Sequence, residues 1–165
     1  MNFSNKKNPG KIRDIVHHPH PILRQKAEAV NIEKLNESEM KELLADMEAT
    51  MIEKDGAGLA APQVGISRQI VVIADRKGKN IFMINPQITH RSWGKIIGEE
   101  GCLSVIDEKG RIIYGRVERH KRITCQYYDA QGKKKKIQAE EPLSRVIQHE
   151  IDHLEGILFI DRLIV

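Results

Sequence analysis

Apolar residues recur at helical spacing along residues 36–55. These positions are Met40, Leu43, Leu44, Met47 and Met51. Steps of three and four residues place them on one face of a helix. Asn36 and Glu39 have the spacing of a capping box at its start, and Asp55-Gly56 is typical of its end. The pattern predicts a first helix from about Asn36 to Asp55, with its methionines filling gaps in the core.

A second helical pattern runs from about Pro142 to Glu155. Its apolar stripe consists of Leu143, Val146, Ile147, Ile151 and Leu154. Proline is favoured in the first turn of a helix and glycine just after its last residue. Pro142 and Gly156 therefore mark the two ends of the predicted second helix.

The segments between these helices are short and rich in β-forming residues. They span residues 69–75, 80–86, 122–129 and 134–140. Lys77-Gly78-Lys79 predicts a turn between the first two segments, and Ala130-Gln131-Gly132 predicts a hairpin between the last two. Strands joined by hairpins, with helices grouped apart from them, predict an α+β fold with antiparallel sheets. We find no repeat or linker, which predicts one domain over residues 1–165.

Composition narrows the possible partners. The net charge of +4 is small and 4% of the residues are aromatic, so base-stacking platforms are scarce and no specific nucleic-acid partner is expected. The run of lysines at 133–136 is interpreted as a solvated hairpin edge. No apolar run is long enough for a membrane span or a signal-peptide core. We therefore expect a cytoplasmic protein, and a content of only two cysteines fits this expectation.

The second helix contains the pattern His149-Glu150-Ile151-Asp152-His153. At about 100° per residue the two histidines lie about 40° apart, so both can reach one metal ion. On a surface helix Glu150 would lie on the polar face, whereas here it falls within the apolar stripe. A buried carboxylate needs a compensating charge, which a metal ion close by supplies. The sequence therefore predicts a metal site on this helix.

A catalytic metal site needs a third protein ligand. The extended zinc-protease pattern would place a histidine at position 159, which is Phe159, and only twelve residues follow His153. We therefore expect the ligand upstream, and Cys102, preceded by Gly101, is the best candidate because thiolates bind such metals strongly. Cys125 lies within a strand pattern and is predicted to be a buried structural thiol.

Three segments together resemble the peptide deformylase family. They are GAGLAAPQ at 56–63, EGCLS at 100–104 and QHEIDH at 148–153. They occur in the family's order, and further similarity extends from HPHPILRQKA at 18–27 to GILFIDRL at 156–163. The resemblance implies antiparallel sheets packed around a central metal-binding helix.

The resemblance also implies roles for individual residues. The metal ligands would be Cys102, His149 and His153. They would hold one divalent ion, with Fe²⁺ as the native ion and Zn²⁺, Ni²⁺ or Co²⁺ as substitutes. Glu150 would be the general acid and base. Gln63 and the backbone N–H of Leu103 would stabilise the oxyanion. The substrate-binding residues implied are Gly56, Ala57, Gly58, Arg119, Pro142, Arg145 and Val146.

The implied reaction is removal of the formyl group from the N-terminal formylmethionine of nascent polypeptides, with release of formate. Water activated by the metal attacks the formyl carbon, and Glu150 moves the proton. The implied partners are formylated nascent peptides and, transiently, the ribosome, with the enzyme acting as a monomer. Departures from the family pattern include Ala57, Gly98 and Glu141-Pro142, all near the pocket. They leave open a related metal-dependent amide hydrolase acting on other acylated amines, and a non-catalytic metal or peptide binder.

Overall fold

The computed structural model describes residues 10–74 and 79–164. The α-helices of this part of the chain are α1, Ser38–Glu53, and α2, Leu143–Leu154. Four short 3₁₀ helices accompany them at Pro21–Arg24, Ile32–Asn36, Ala61–Val64 and Phe159–Arg162. The strands are β1 Gly58–Ala60, β2 Ile70–Ile73, β3 Ile81–Arg91, β4 Lys95–Ile106, β5 Ile112–His120, β6 Arg122–Tyr128 and β7 Lys134–Glu140.

Two antiparallel sheets are built from these strands. One has the order β1-β2-β3-β6-β7, and the other is a ribbon formed by β4 and β5. The α+β class with antiparallel sheets is therefore confirmed. The hairpin at Ala130-Gln131-Gly132 is confirmed as well, since β6 pairs with β7 from Tyr128 opposite Lys134. Lys77 and Gly78 of the other predicted turn lie outside the described residues.

The five-stranded sheet separates the two helices. Because side chains alternate along a strand, Ile70 and Val72 of β2 pack in the cluster that includes α1, whereas Val71 and Ile73 pack in the cluster that includes α2. A strand buried on both faces explains the unbroken apolar run at 70–73. The α2 helix also contacts β5, so it lies between the sheet and the ribbon.

The start of α1 differs from the prediction. Asn36 belongs to the preceding 3₁₀ helix, and α1 begins at Ser38 without a side-chain cap. Asn31 caps the 3₁₀ helix instead, where its side chain accepts a hydrogen bond from the Glu33 amide at 3.0 Å. The predicted capping box of Asn36 and Glu39 is therefore wrong, because Asn31 starts an earlier 3₁₀ helix that includes Asn36. The predicted apolar face of α1 is confirmed by the burial of Leu43, Leu44, Met47 and Met51 and the packing of Met40.

The predicted bounds of α2 are confirmed to within one residue, with Pro142 immediately before it. Cys125 is fully buried in β6, as expected of a structural thiol. Within residues 10–74 and 79–164 no helix is both long and apolar enough to cross a membrane.

Candidate metal and catalytic site

The candidate site lies where α2 faces β4. Alternation along β4 turns Glu100, Cys102 and Ser104 to one buried face. On α2, His149 and His153 are one turn apart, and their ring centroids lie 5.0 Å from each other. One ligand atom from each of Cys102, His149 and His153 lies within 4.8 Å of the others. The structure thus brings together the three residues predicted as metal ligands.

The donor set fits a divalent metal ion. Cys102 Sγ lies 3.2 Å from His153 Nε2, and a thiolate with two imidazoles suits iron, zinc or nickel. Burial lowers the pKa of His153 well below its usual value, and the charge of His149 lowers it further. A neutral imidazole is the form that coordinates a metal. The buried Nδ1 atom of His153 has no partner among the described residues.

Glu100 fixes the orientation of His149. Its Oε2 atom lies 2.9 Å from His149 Nδ1, and because an ionised carboxylate only accepts hydrogen bonds, Nδ1 donates and Nε2 is left for a metal. Burial alone would raise the pKa of Glu100, but hydrogen bonds from Arg119 and His149 hold it well below its usual value. Glu100 was not among the predicted site residues. A carboxylate two positions from Cys102 on a strand was the available signal.

Glu150 is a buried carboxylate at the edge of the cluster. Only 4% of the residue is exposed, and no described residue makes a hydrogen bond to its buried Oε2 atom. Burial raises the pKa of Glu150 to about 7, helped by the negative charge of Glu100 and opposed by His149 and Arg119. A pKa near neutrality suits a group that both takes up and releases a proton. The predicted burial of Glu150 is confirmed.

Gln63 presents an amide N–H group to the same place. Its Oε1 atom accepts a hydrogen bond from the Ala60 amide at 2.9 Å, which directs Nε2 toward Cys102 Sγ at 3.5 Å and Ser104 Oγ at 3.2 Å. Ser104, fully buried, was not predicted. It helps hold the side chain of Gln63 beside the metal cluster.

An open cavity of about 270 Å³ adjoins these groups. Among the predicted site residues, those lining it are Gly56, Ala57, Gly58, Gln63, Cys102, Leu103, Arg145, Val146, His149 and Glu150. Gly58 lies so close to Glu150 that a Cβ atom there would be 2.6 Å from Glu150 Oε1. The backbone of β1 therefore forms a wall beside the carboxylate. A peptide entering the cavity would meet the metal cluster, Glu150 and Gln63 together.

Two predicted substrate-binding residues lie elsewhere. Pro142 precedes α2 and does not line the cavity. Arg119 is 4% exposed and donates to both carboxylate oxygens of Glu100 at 2.9 Å, while it also pairs with Asp152. These contacts place Arg119 behind the site, where it supports Glu100.

Comparison with known proteins matches residues 12–164 to the family model described as polypeptide deformylase. A peptide deformylase of Syntrophobacter fumaroxidans is 46% identical over 156 residues, which cover 92% of this chain and 86% of the relative. One of Nitrosococcus oceani is 44% identical over 152 residues, covering 91% of this chain and 86% of the relative.

Solved structures of peptide deformylases are similar to this chain as well. A class I type b peptide deformylase of Acinetobacter baumannii bound to Met-Ala-Ser superposes with a TM-score of 0.84 at 35% identity, covering 92% of this chain and 98% of that one. A peptide deformylase of Legionella pneumophila gives 0.83 at 38% identity, covering 93% and 86%. With the family model spanning nearly the whole chain and the relatives matching throughout, this chain belongs to the polypeptide deformylase family.

Proposed function

We propose that this protein removes the formyl group from the N-terminal formylmethionine of nascent polypeptides and releases formate. The observation that carries the proposal is the buried Glu150 carboxylate beside the cluster of Cys102, His149 and His153, at the wall of an open cavity. Family membership supports it. So does the related enzyme of Acinetobacter baumannii, which binds Met-Ala-Ser, a peptide of the kind that deformylation would leave.

Cys102, His149 and His153 would hold one divalent ion. When bound, such an ion polarises the formyl oxygen and lowers the pKa of the attacking water. We propose Fe²⁺ as the native ion, with Zn²⁺, Ni²⁺ or Co²⁺ able to replace it. Metal analysis of protein expressed without added metal and purified without oxygen tests this choice. Zinc in place of iron under those conditions would contradict it.

Glu150 moves the protons of the reaction. As a carboxylate it takes a proton from the water that attacks the formyl carbon. It then gives that proton to the departing nitrogen as the C–N bond breaks, so formate and a free N-terminus result. Its raised pKa, about 7, makes both transfers accessible near neutral pH.

The negative charge that develops on the formyl oxygen must be stabilised by hydrogen-bond donors. Nε2 of Gln63 is already directed toward the cluster because Oε1 is held by the Ala60 amide. The backbone N–H of Leu103, next to Cys102, is the second proposed donor. Loss of one such donor typically costs about 3–4 kcal/mol of transition-state stabilisation. Gly56, Ala57 and Gly58 are proposed to hold the peptide backbone, and Val146 to contact the methionine side chain.

Substrate discrimination tests the proposal. Protein reconstituted with Ni²⁺ or, without oxygen, with Fe²⁺ is given formyl-Met-Ala-Ser, acetyl-Met-Ala-Ser and free Met-Ala-Ser. We expect rapid release of formate from the first peptide, little release of acetate from the second and no cleavage of the third. Equal turnover of the acetyl peptide, or none of the formyl peptide by protein with a full metal equivalent, would favour the alternative hydrolase of other acylated amines.

A further inference from the structure

Arg145 places a cation in the wall of the cavity. It lies on the face of α2 that also presents Val146, His149 and Glu150 to the cavity. Most of its side chain is buried, with 12% exposed. A buried guanidinium is stabilised only when acceptors surround it, so its contacts define what this wall can recognise.

The two terminal nitrogens of Arg145 are occupied. Nη1 donates to Glu100 Oε1 at 2.9 Å and to the carbonyl oxygen of Val117 at 2.9 Å. Nη2 donates to the carbonyl oxygen of Ile96 at 2.9 Å and forms an ion pair with Glu141 at 2.9 Å. Acceptors from β4 and β5, together with the carboxylate of Glu141 before α2, therefore hold the guanidinium in one place.

Gly98 makes room for this guanidinium. A Cβ atom at Gly98 would lie 3.0 Å from both Cζ and Nη2 of Arg145 and 3.1 Å from Nε. Even alanine at this position would press on the guanidinium and displace it from the acceptors that hold it. Gly98, Glu141 and Arg145 are thus one coupled unit, and the space beside β4 is filled by a cation.

The Nε–H group of Arg145 makes no hydrogen bond to a described residue. A guanidinium has five N–H donors, and among the described residues the hydrogen bonds of Arg145 come only from Nη1 and Nη2. Nε is not among the buried polar atoms that lack a partner in this part of the chain, so it keeps access to open space. A substrate side chain that covers Nε with hydrocarbon removes its water without replacing the hydrogen bond.

We propose that Arg145 is a specificity-determining residue whose Nε–H donates to an acceptor on the first side chain of the formylated peptide. This inference rests on the proposed function. A thioether sulfur accepts weakly and a sulfoxide oxygen accepts strongly, whereas an all-carbon chain of similar shape accepts nothing. The substrate class therefore includes formylated peptides that begin with methionine or methionine sulfoxide, and it disfavours those that begin with norleucine.

The test compares three peptides that differ only in the first side chain. Formate release is measured from formyl-Met-Ala-Ser and from its methionine sulfoxide and norleucine counterparts, with the metal-loaded enzyme. We expect kcat/KM for the sulfoxide peptide to exceed that for the norleucine peptide by about tenfold or more, because a site with an unpaired donor rejects the analogue that cannot pair with it.

Variants assign the effect to Arg145. In Arg145→Met the sulfoxide-to-norleucine ratio should fall at least about tenfold, and Arg145→Lys should behave similarly because lysine lacks the planar fork. Gly98→Ala, which displaces the guanidinium, should lower the ratio without removing the charge. Arg13→Met is the matched control, since Arg13 also pairs with a helix carboxylate, Asp46, away from the cavity. Its ratio should equal that of the unaltered enzyme.

The outcomes separate the two proposals. A ratio that is near one in the unaltered enzyme, or unchanged in Arg145→Lys and Gly98→Ala, would overturn the specificity role. An equal loss of kcat for all three peptides would overturn it as well, because that result would make Arg145 only a support for Glu100. No formate from formyl-Met-Ala-Ser with a full metal equivalent would instead refute the proposed function, and this inference with it.

Discussion

At Gly58 the backbone of β1 passes close to the Glu150 carboxylate, the group proposed to transfer the proton. A Cβ atom there would lie 2.6 Å from Glu150 Oε1 and 2.9 Å from its Cδ. Gly58→Ala should therefore shift the carboxylate and lower kcat by about 100-fold, because small displacements of catalytic groups are costly. Kinetics with formyl-Met-Ala-Ser and a thermal unfolding curve measure the two effects.

Gly94→Ala is the control for this substitution. Its new methyl group would meet only the Lys121 side chain, at an ordinary 3.7 Å, so kcat should not change. A Gly58→Ala enzyme that retains full kcat would contradict the close approach of the β1 backbone to the Glu150 carboxylate.

Cys125 makes stability depend on pH. Burial raises the pKa of its thiol from 9.0 to about 11. Between those values the unfolded chain loses a proton that the folded chain keeps, so this group lowers the free energy of unfolding as pH rises, by up to about 1.4 kcal/mol per pH unit. Urea unfolding at pH 8, 9 and 10 should give a shallower decline for Cys125→Ala than for the unaltered protein. Parallel declines would contradict the raised pKa of this thiol.

Some residue roles could be predicted from the sequence and others could not. The burial of Glu150 and the alignment of His149 with His153 follow from helical periodicity within one segment, so they were predictable. Glu100 and Arg119 act through contacts between β4, β5 and α2. Those contacts depend on how distant segments pair, which local spacing does not encode.

Among the elements, α1 fastens the first described segment of the chain. Asp46 Oδ1 accepts a hydrogen bond from the Lys11 amide at 2.7 Å, and Oδ2 accepts one from Arg13 Nε at 3.0 Å. Asp46→Ala should increase amide hydrogen exchange at Lys11 at least about tenfold, because loss of these bonds allows local opening. Exchange at Ile147 in α2 should not change.

Glu42→Ala provides the matched control on the same helix. Glu42 pairs with Lys11 only through an exposed side-chain contact, which contributes little. Exchange at Lys11 in this variant should match that of the unaltered protein. Equal exchange in both variants would show that Asp46 does not hold the segment.

The elements differ in how well the sequence predicted them. Both helices and the β6–β7 hairpin have clear periodicity and turn residues, and the structure confirms them. The β4–β5 ribbon was not predicted. Gly98, Glu99, Glu100 and Gly101 interrupt its apolar pattern, and its register shifts between Gly101 and Ile106. The β4 strand is specified by its pairing with β5 and by the packing of the ribbon on α2. The pattern of apolar residues within β4 alone is therefore weak.

For the whole molecule, a bound metal would join two separate elements. Cys102 belongs to β4, whereas His149 and His153 belong to α2. Binding to the folded state alone stabilises by mass action, about 4 kcal/mol at 1,000 times the Kd. Chelation should therefore lower Tm, and added Ni²⁺ should restore it in a concentration-dependent way. Cys102→Ser should weaken this response and Cys125→Ala should keep it. A Tm that does not depend on metal would contradict the site.

The proposed mechanism depends on Glu150, beside the metal cluster, moving the proton in deformylation. The most direct measurement is formate release from formyl-Met-Ala-Ser by Glu150→Gln, with metal content determined on the same sample. Glu155→Gln is the control, because Glu155 ends the same helix in an exposed pair with Lys26. We predict a loss of about 100-fold or more in kcat for Glu150→Gln at an unchanged metal content, and no loss for Glu155→Gln. Near-normal turnover by metal-loaded Glu150→Gln would show that Glu150 does not move this proton.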